Sequence, residues 1–138
     1  MRSFVLIMFL VLVAATSVCA GDYNYIVAKD MKNRIETGSE VLIVDIQVEK
    51  EFKQHHFPGS VATHAYPVKT DAERAQIDKA VKMFQDSGKD VVIVCPRGGG
   101  GAKRCYDYML KKNVPSEKIY ILEKGIEGWS YPELMEKG

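Results

Sequence analysis

A surplus of charge is missing from this chain. Lysine and arginine number 19 against 18 aspartates and glutamates, a net charge of +1, which supplies no basic field to hold nucleic acid. Cysteine is scarce as well: there are three, Cys19, Cys95 and Cys105. No two of them stand at Cys-x-x-Cys spacing, which argues against thioredoxin-like redox chemistry. The three histidines, His55, His56 and His64, lack a persuasive metal-ligand spacing and read as turn or surface residues. Residues 21–138 contain no internal repeat, linker or low-complexity tract apart from one run of glycines. That run, "GGGGAKR", is not a phosphate-binding Walker loop, because Lys103 is not followed by Ser or Thr and the spacing fails.

The longest apolar stretch, Phe4 to Ala15, is shorter than the roughly 20 residues that span a bilayer. It follows a single charge, Arg2, and precedes Val18-Cys19-Ala20, small residues where a signal peptidase cuts. Residues 1–20 therefore read as a cleaved signal peptide. The mature chain is then expected to be periplasmic or secreted, with no stable membrane insertion. The alternatives are an uncleaved anchor and a lipid-bearing Cys19. Val18 stands where a lipoprotein site usually has Gly, Ala or Ser. Cleavage also removes Arg2 and leaves the two signs of charge equal.

With 46% hydrophobic and 27% charged residues, the remainder has the composition of one soluble domain with its own core. "YIVAKDMKNRIETGSE" predicts a short extended piece and then a helix from about residue 28 to 36, stopped by Gly38. The continuous apolar run 41–46 predicts a strand covered on both faces and ending near Asp45. "VEKEFKQHH" predicts a short polar helix closed by the Pro58-Gly59 turn, and 61–66 a weak strand. Residues 71–88 predict one amphipathic helix carrying Ile77, Val81 and Phe84, capped by Asp71 and stopped by Gly88. "VVIVC", 91–95, is the central strand. A helix over about 101–112, a strand over 118–122 and a short terminal helix complete the chain. Strand and helix alternate throughout, which predicts an α/β domain with a mainly parallel sheet and helices on both faces. In such sheets the site lies beyond the carboxyl ends of the strands, and Cys95 sits at one of them.

"VVIVCPRGGGGAKRCYDYML" places a cysteine, four glycines and a helix start in succession. A strand–loop–helix turn of this kind aims backbone N–H groups at one point. Pro96 has none to give, but Arg97, Gly98, Gly99, Gly100, Gly101 and Ala102 each carry one. Glycine lets such a loop curl and approach a ligand. A ring of donors around Cys95 Sγ is expected to stabilise a thiolate or a persulfide anion. The bland reading, a buried strand-end cysteine beside a flexible loop, does not account for four glycines at a strand–helix junction. Arg97 is a candidate to bind an anionic donor, or else a solvated loop charge. Lys103 and Arg104 read as surface charges of the first helical turn. Cys105 shares a helix face with Ala102 and Met109, which fits core packing. A thiol that resolves a persulfide, or a disulfide to Cys95, remains open from the spacing alone. Cysteine phosphatases and some arsenate reductases need an arginine at the sixth position after the cysteine, and that position is Gly101.

Four segments together resemble the single-domain rhodaneses, a sulfurtransferase family. "VLIVDIQ" resembles the family's strand ending in Asp-Val-Arg, and "HHFPGS" its Gly-His-Ile-Pro-Gly-Ala turn. "VVIVCPRGGGGA" resembles its strand, catalytic cysteine and six-residue loop, and "YILEKGIEGW" its closing Gly-Gly-x-x-x-Trp segment. The resemblance covers nearly all of 21–138. Three positions depart from it: Gln47 replaces the common Arg, Lys124 replaces the first closing glycine, and Gly101 stands where many members carry a side chain.

The resemblance implies a rhodanese-like fold over 21–138, with Cys95 as a nucleophile that carries sulfane sulfur as Cys–S–SH. Binding is implied for Arg97, Gly98, Gly99, Gly100, Gly101 and Ala102. Thiosulfate or polysulfide is the implied donor and a thiol or cyanide the acceptor, with no cofactor and no metal. The competing expectation is a non-enzymatic carrier of sulfane sulfur, or a module that docks on a partner. Asp45 is expected to make loop or capping bonds and Trp129 to anchor packing.

Overall fold

The computed structural model describes residues 22–138; the expected signal peptide, residues 1–20, lies outside them. Five strands form one sheet: β1 (Tyr25–Ile26), β2 (Val41–Asp45), β3 (Val61–Ala62), β4 (Asp90–Val94) and β5 (Ile119–Leu122). Their order is β1-β5-β4-β2-β3 and every pair is parallel. The helices are α1 (Ala28–Glu36), α2 (Glu49–Gln54), α3 (Asp71–Ala75), α4 (Asp78–Ser87) and α5 (Gly100–Lys111), with single 3-10 turns at Ser116–Lys118 and Pro132–Leu134.

Side chains alternate along a strand, and here both faces are covered, so β2 and β4 are apolar almost throughout. Leu42, Val44, Val91 and Ile93 join Ala80 and Val81 of α4 and Ala102, Cys105, Tyr106 and Met109 of α5 in one core cluster. Ile43, Val92, Val94 and Leu122 join Met31 of α1 and Phe57 in the other, with Trp129 packed against it. Trp129 meets Phe57 edge-on at 4.7 Å between ring centres, the packing anchor expected of it.

The predicted helix over 71–88 is two helices. Between α3 and α4 the backbone of Gln76 and Ile77 stays right-handed. The hydrogen bonds there tighten to three-residue spacing, from Gln76 to Glu73 and from Ile77 to Arg74, a 3-10 turn inserted into the run. Thr70, not Asp71, caps the start, in a reciprocal capping box with Glu73. Gly88 ends α4 at φ +64°, as a left-handed C-terminal residue. The weak strand expected over 61–66 shortens to two residues, and the terminal helix is a 3-10 turn. After Ala62 the chain still tracks β2: Thr63 N–H donates to the Asp45 carbonyl and Tyr66 N–H to that of Ile46, both at 2.9 Å.

Asp45 pairs in register with Val94, and Ile46 N–H donates to the Val94 carbonyl at 2.9 Å. The loops after β2, β4 and β5 therefore emerge side by side at the carboxyl edge, with Cys95 just past the end of the middle strand.

Candidate active site

Cys95 follows β4 directly and is 2% exposed. Its Sγ accepts the Gly98 N–H at 2.8 Å. Among the described residues no other N–H reaches Sγ, so the expected ring of donors closes on the sulfur itself with one member. The remaining donors belong to the loop and the start of α5. The first bond of α5 runs from Lys103 N–H to the Gly99 carbonyl, and among the described residues no side chain caps the helix. Among the described residues, the N–H groups of Gly100, Gly101 and Ala102 are thus the unpaired first-turn donors of a twelve-residue helix, at its positive end.

Gly98 has φ +71°, and a Cβ there would lie 2.9 Å from both the Leu122 carbonyl oxygen and the Lys124 nitrogen. Gly125, at φ +58°, answers it from the other loop: a Cβ would run into the Cys95 carbonyl oxygen and come within 2.7 Å of Arg97 N. This close contact lets Ile126 and Glu127 donate their N–H groups to the carbonyls of Cys95 and Pro96, both at 2.9 Å. The loop after β5 thereby fixes the backbone that carries the thiol. Lys124, in the place of the family's first closing glycine, is held at φ +61°, a region that disfavours a side chain.

The expected anion ligand Arg97 donates through Nε to both Glu127 carboxylate oxygens, at 3.1 and 3.2 Å. That partner, first of all, raises its pKa. The pair is exposed and contributes little to stability. Lys103 lies over the Tyr23 ring, its Nζ 5.6 Å from the centre. Arg104 is more than a surface charge: its Nε donates to the Pro67 carbonyl at 2.9 Å.

Asp45 is buried. Its carboxylate accepts the Gln47 N–H at 2.8 Å and the Gln47 side-chain amide at 3.0 Å. The same amide donates to the His55 carbonyl at 3.1 Å. Gln47 thus ties Asp45 to the His55 carbonyl but brings no charge, and burial pushes Asp45 up to about 6. A cavity of about 150 Å³ adjoins Gln47, bordered by Glu51, Gln54, His55, Pro96 and Glu127. His56 bonds to the Phe52 carbonyl and His64 to that of Gln47, at 2.9 and 3.0 Å. Among the described residues no group of three or more His, Cys, Asp and Glu is arranged to hold a metal ion.

Cys95 and Cys105 are both free thiols. Cys105 is wholly buried, and burial above all, then the neighbouring Cys95, pushes its thiol up. That environment suits packing and opposes formation of an attacking thiolate. Sequence reading missed Tyr66, Glu127 and the anchoring role of Arg104, and left Gly125 off the site. Gly125 was within reach, because it belongs to the closing "KGIEGW" segment. Tyr66 and Glu127 enter from other loops, and no local pattern marks them.

A family model described as the Rhodanese-like domain matches residues 27–131. No curated protein matches the sequence. Among solved structures, the chain is similar to a rhodanese-like domain protein from Staphylococcus aureus, with TM-score 0.61 and 20% identity over 83% of this chain and 98% of that one. It is similar to the As-Sb reductase from Leishmania major, with TM-score 0.64 and 16% identity over 84% and 86%. It is also similar to the thiosulfate sulfurtransferase from Pseudomonas aeruginosa, with TM-score 0.55 and 16% identity over 84% of this chain and 20% of that one. At these identities the structures show a shared fold.

Proposed function

The chain belongs to the rhodanese-like domain family, and from that premise we propose that it is a sulfurtransferase working through a persulfide on Cys95. The observation that carries the reading is the Gly98 N–H held 2.8 Å from Cys95 Sγ beside the uncapped start of α5. A donor on the sulfur favours its anion, and the first-turn N–H groups suit the negative outer sulfur of a persulfide.

In the first half-reaction the Cys95 thiolate attacks the outer sulfur of thiosulfate. A sulfur–sulfur bond forms to Cys95, the bond to the sulfonate sulfur breaks with its electron pair, and sulfite leaves. Polysulfide reacts in the same way and leaves one sulfur shorter. In the second, cyanide or a thiolate attacks the outer sulfur and takes it as thiocyanate or a new persulfide, returning Cys95 as the thiolate. The cycle is nucleophilic catalysis divided between two displacements. No metal or cofactor has a part in it. Its partners are small sulfur-containing anions and a thiol acceptor.

Intact mass measured without reductant tests this. Thiosulfate or polysulfide should add the mass of one sulfur atom, mapped to Cys95, and cyanide should remove it. Cys95→Ser should abolish loading, because serine has no comparably acidic group to ionise. Cys105→Ser should still load. Sulfur on Cys105 alone, or loading of Cys95→Ser, overturns the reading. The near-complete burial of Cys95 favours a second reading, a sulfane-sulfur carrier: such a protein loads in the same assay but does not turn over with thiols.

A further inference from the structure

The glycine run holds glycines of different kinds. Gly98 is demanded by its positive φ, whereas Gly100 and Gly101 lie in the first turn of α5 with no positive φ. What these two lack is room. A Cβ on Gly101 would lie 2.9 Å from Tyr66 Cδ2, 3.0 Å from Tyr66 Cε2 and 3.4 Å from Ile46 Cδ1. A Cβ on Gly100 would lie 2.9 Å from Arg104 Nη1. At the fifth and sixth positions after Cys95, the space of the absent side chains is taken by Arg104 from the next turn of α5 and by Tyr66 and Ile46 from other segments.

The backbone that carries the Tyr66 ring is held on both sides. Its N–H donates to the Ile46 carbonyl, while the next carbonyl, Pro67, accepts Arg104 Nε, each at 2.9 Å. Val68 just beyond is fully buried. Tyr66 is 39% exposed, and among the described residues its hydroxyl makes no hydrogen bond. Among those residues Arg104 has no carboxylate partner either, so its defined contacts are with the Pro67 carbonyl and the space over Gly100. A large, half-exposed aromatic is thus tethered against the helix turn whose N–H groups are unpaired.

We infer that Tyr66 is the specificity-determining wall of the sulfur site, with Arg104 as the residue that positions it, and that it restricts the donor to small sulfane anions of the size of thiosulfate. The inference rests on the sulfurtransferase reading for its substrate. Its physical content is that an anion received by the first-turn N–H groups of α5 must fit beside this ring. A donor with a bulky group on the departing sulfur meets the ring edge.

The test compares single-turnover loading of Cys95 by thiosulfate and by benzenethiosulfonate, whose leaving group is an aryl sulfinate. Tyr66→Ala should shift the ratio of rates about tenfold or more toward the aryl donor, in the range that pocket contacts discriminate. Tyr66→Phe, which keeps the ring, should retain the wild-type ratio. Arg104→Ala should move the ratio the same way as Tyr66→Ala, and Arg104→Lys should do so less. Gly101→Ala should lower thiosulfate loading in the wild-type background and be better tolerated in Tyr66→Ala, a non-additive pair. Circular dichroism checks that each variant is folded. A second arm needs no sulfur transfer: alkylation of Cys95 by iodoacetamide and by N-phenylmaleimide, where Tyr66→Ala should favour the aryl reagent to a similar extent. If donors load but neither ratio moves in folded Tyr66→Ala, the wall is overturned. If no donor loads the wild type while the alkylation ratio shifts, the wall stands and the sulfurtransferase reading falls.

Discussion

Gly125 and Gly99 show what separates a required glycine from a permitted one. A side chain on Gly125 would meet the backbone of Cys95 to Arg97, which cannot swing aside, and φ there is +58°. A Cβ on Gly99 meets nothing within 4 Å among the described residues, and φ is −98°. Gly125→Ala is therefore expected to destabilise the fold by at least about 2 kcal/mol, combining left-handed strain with a steric clash. It should also loosen the Ile126 and Glu127 bonds that hold the Cys95 backbone, so sulfur loading should slow severely. Gly99→Ala should change stability by under about 1 kcal/mol and leave loading within a few-fold. Thermal unfolding and loading rates check both. Equal effects of the two substitutions would show that the contact between the loops does not position the thiol. The distinction was partly legible in the sequence: "GGGG" announces a special loop but not which glycine serves conformation and which serves room. That assignment needs Leu122, Lys124 and Tyr66, which are remote from the run in sequence, and the direction in which Arg104 folds back over it.

At the scale of elements, the junction from β2 to α2 carries a buried carboxylate without, among the described residues, a buried cation. Asp45 ionises in water near 3.8 but near 6 in the fold, chiefly because burial disfavours its charge. The folded state therefore holds the proton more tightly than the unfolded chain. This group's contribution is most favourable below about pH 4 and is lost as pH rises to about 6. The loss is on the order of 3 kcal/mol at about 1.4 kcal/mol per unit. The Gln47 bonds oppose it, as do positive charges on His56 and His64. Gln47→Arg should supply the missing charge, using the cavity beside Gln47. It should bring the Asp45 pKa down and raise the melting temperature more at pH 7.5 than at pH 4.5. An equal change at both values would mean that Asp45 is not the group responsible. The departure at Gln47 was visible in the sequence, but its consequence was not, since it depends on how deeply the carboxylate is buried. Alternation of strand and helix was likewise legible, because β2 and β4 each carry an unbroken run of four apolar residues. The split of 71–88 was not, because Gln76 and Ile77 keep helical backbone angles and only their hydrogen bonds change.

For the whole molecule, the parallel topology makes the site a meeting of distant segments: strand order places β4 between β5 and β2, so their loops converge on Cys95. The same topology bears on the N-terminus. The first contacts of the described fold come from Tyr23, whose hydroxyl donates to Asp107 at 3.1 Å. Asn24 follows, donating its side-chain amide to the Ser116 carbonyl at 2.8 Å. Strand β1 then pairs with β5 at Tyr25 and Ile26. We propose that the chain is exported and cleaved after Ala20, which leaves every one of these contacts in place with Gly21 as the new terminus. N-terminal sequencing of the exported protein should begin at Gly21, and that form should unfold cooperatively and load sulfur on Cys95. Removal of residues 21–26 in addition should cost the β1 pairing and the Tyr23 and Asn24 bonds, and should lower the melting temperature clearly below that of the Gly21 form. Recovery of an intact Met1 chain, or of a lipid on Cys19, would overturn the processing. Equal melting temperatures for the two truncations would instead show that β1 adds nothing to the sheet edge, and that the folded unit begins at α1.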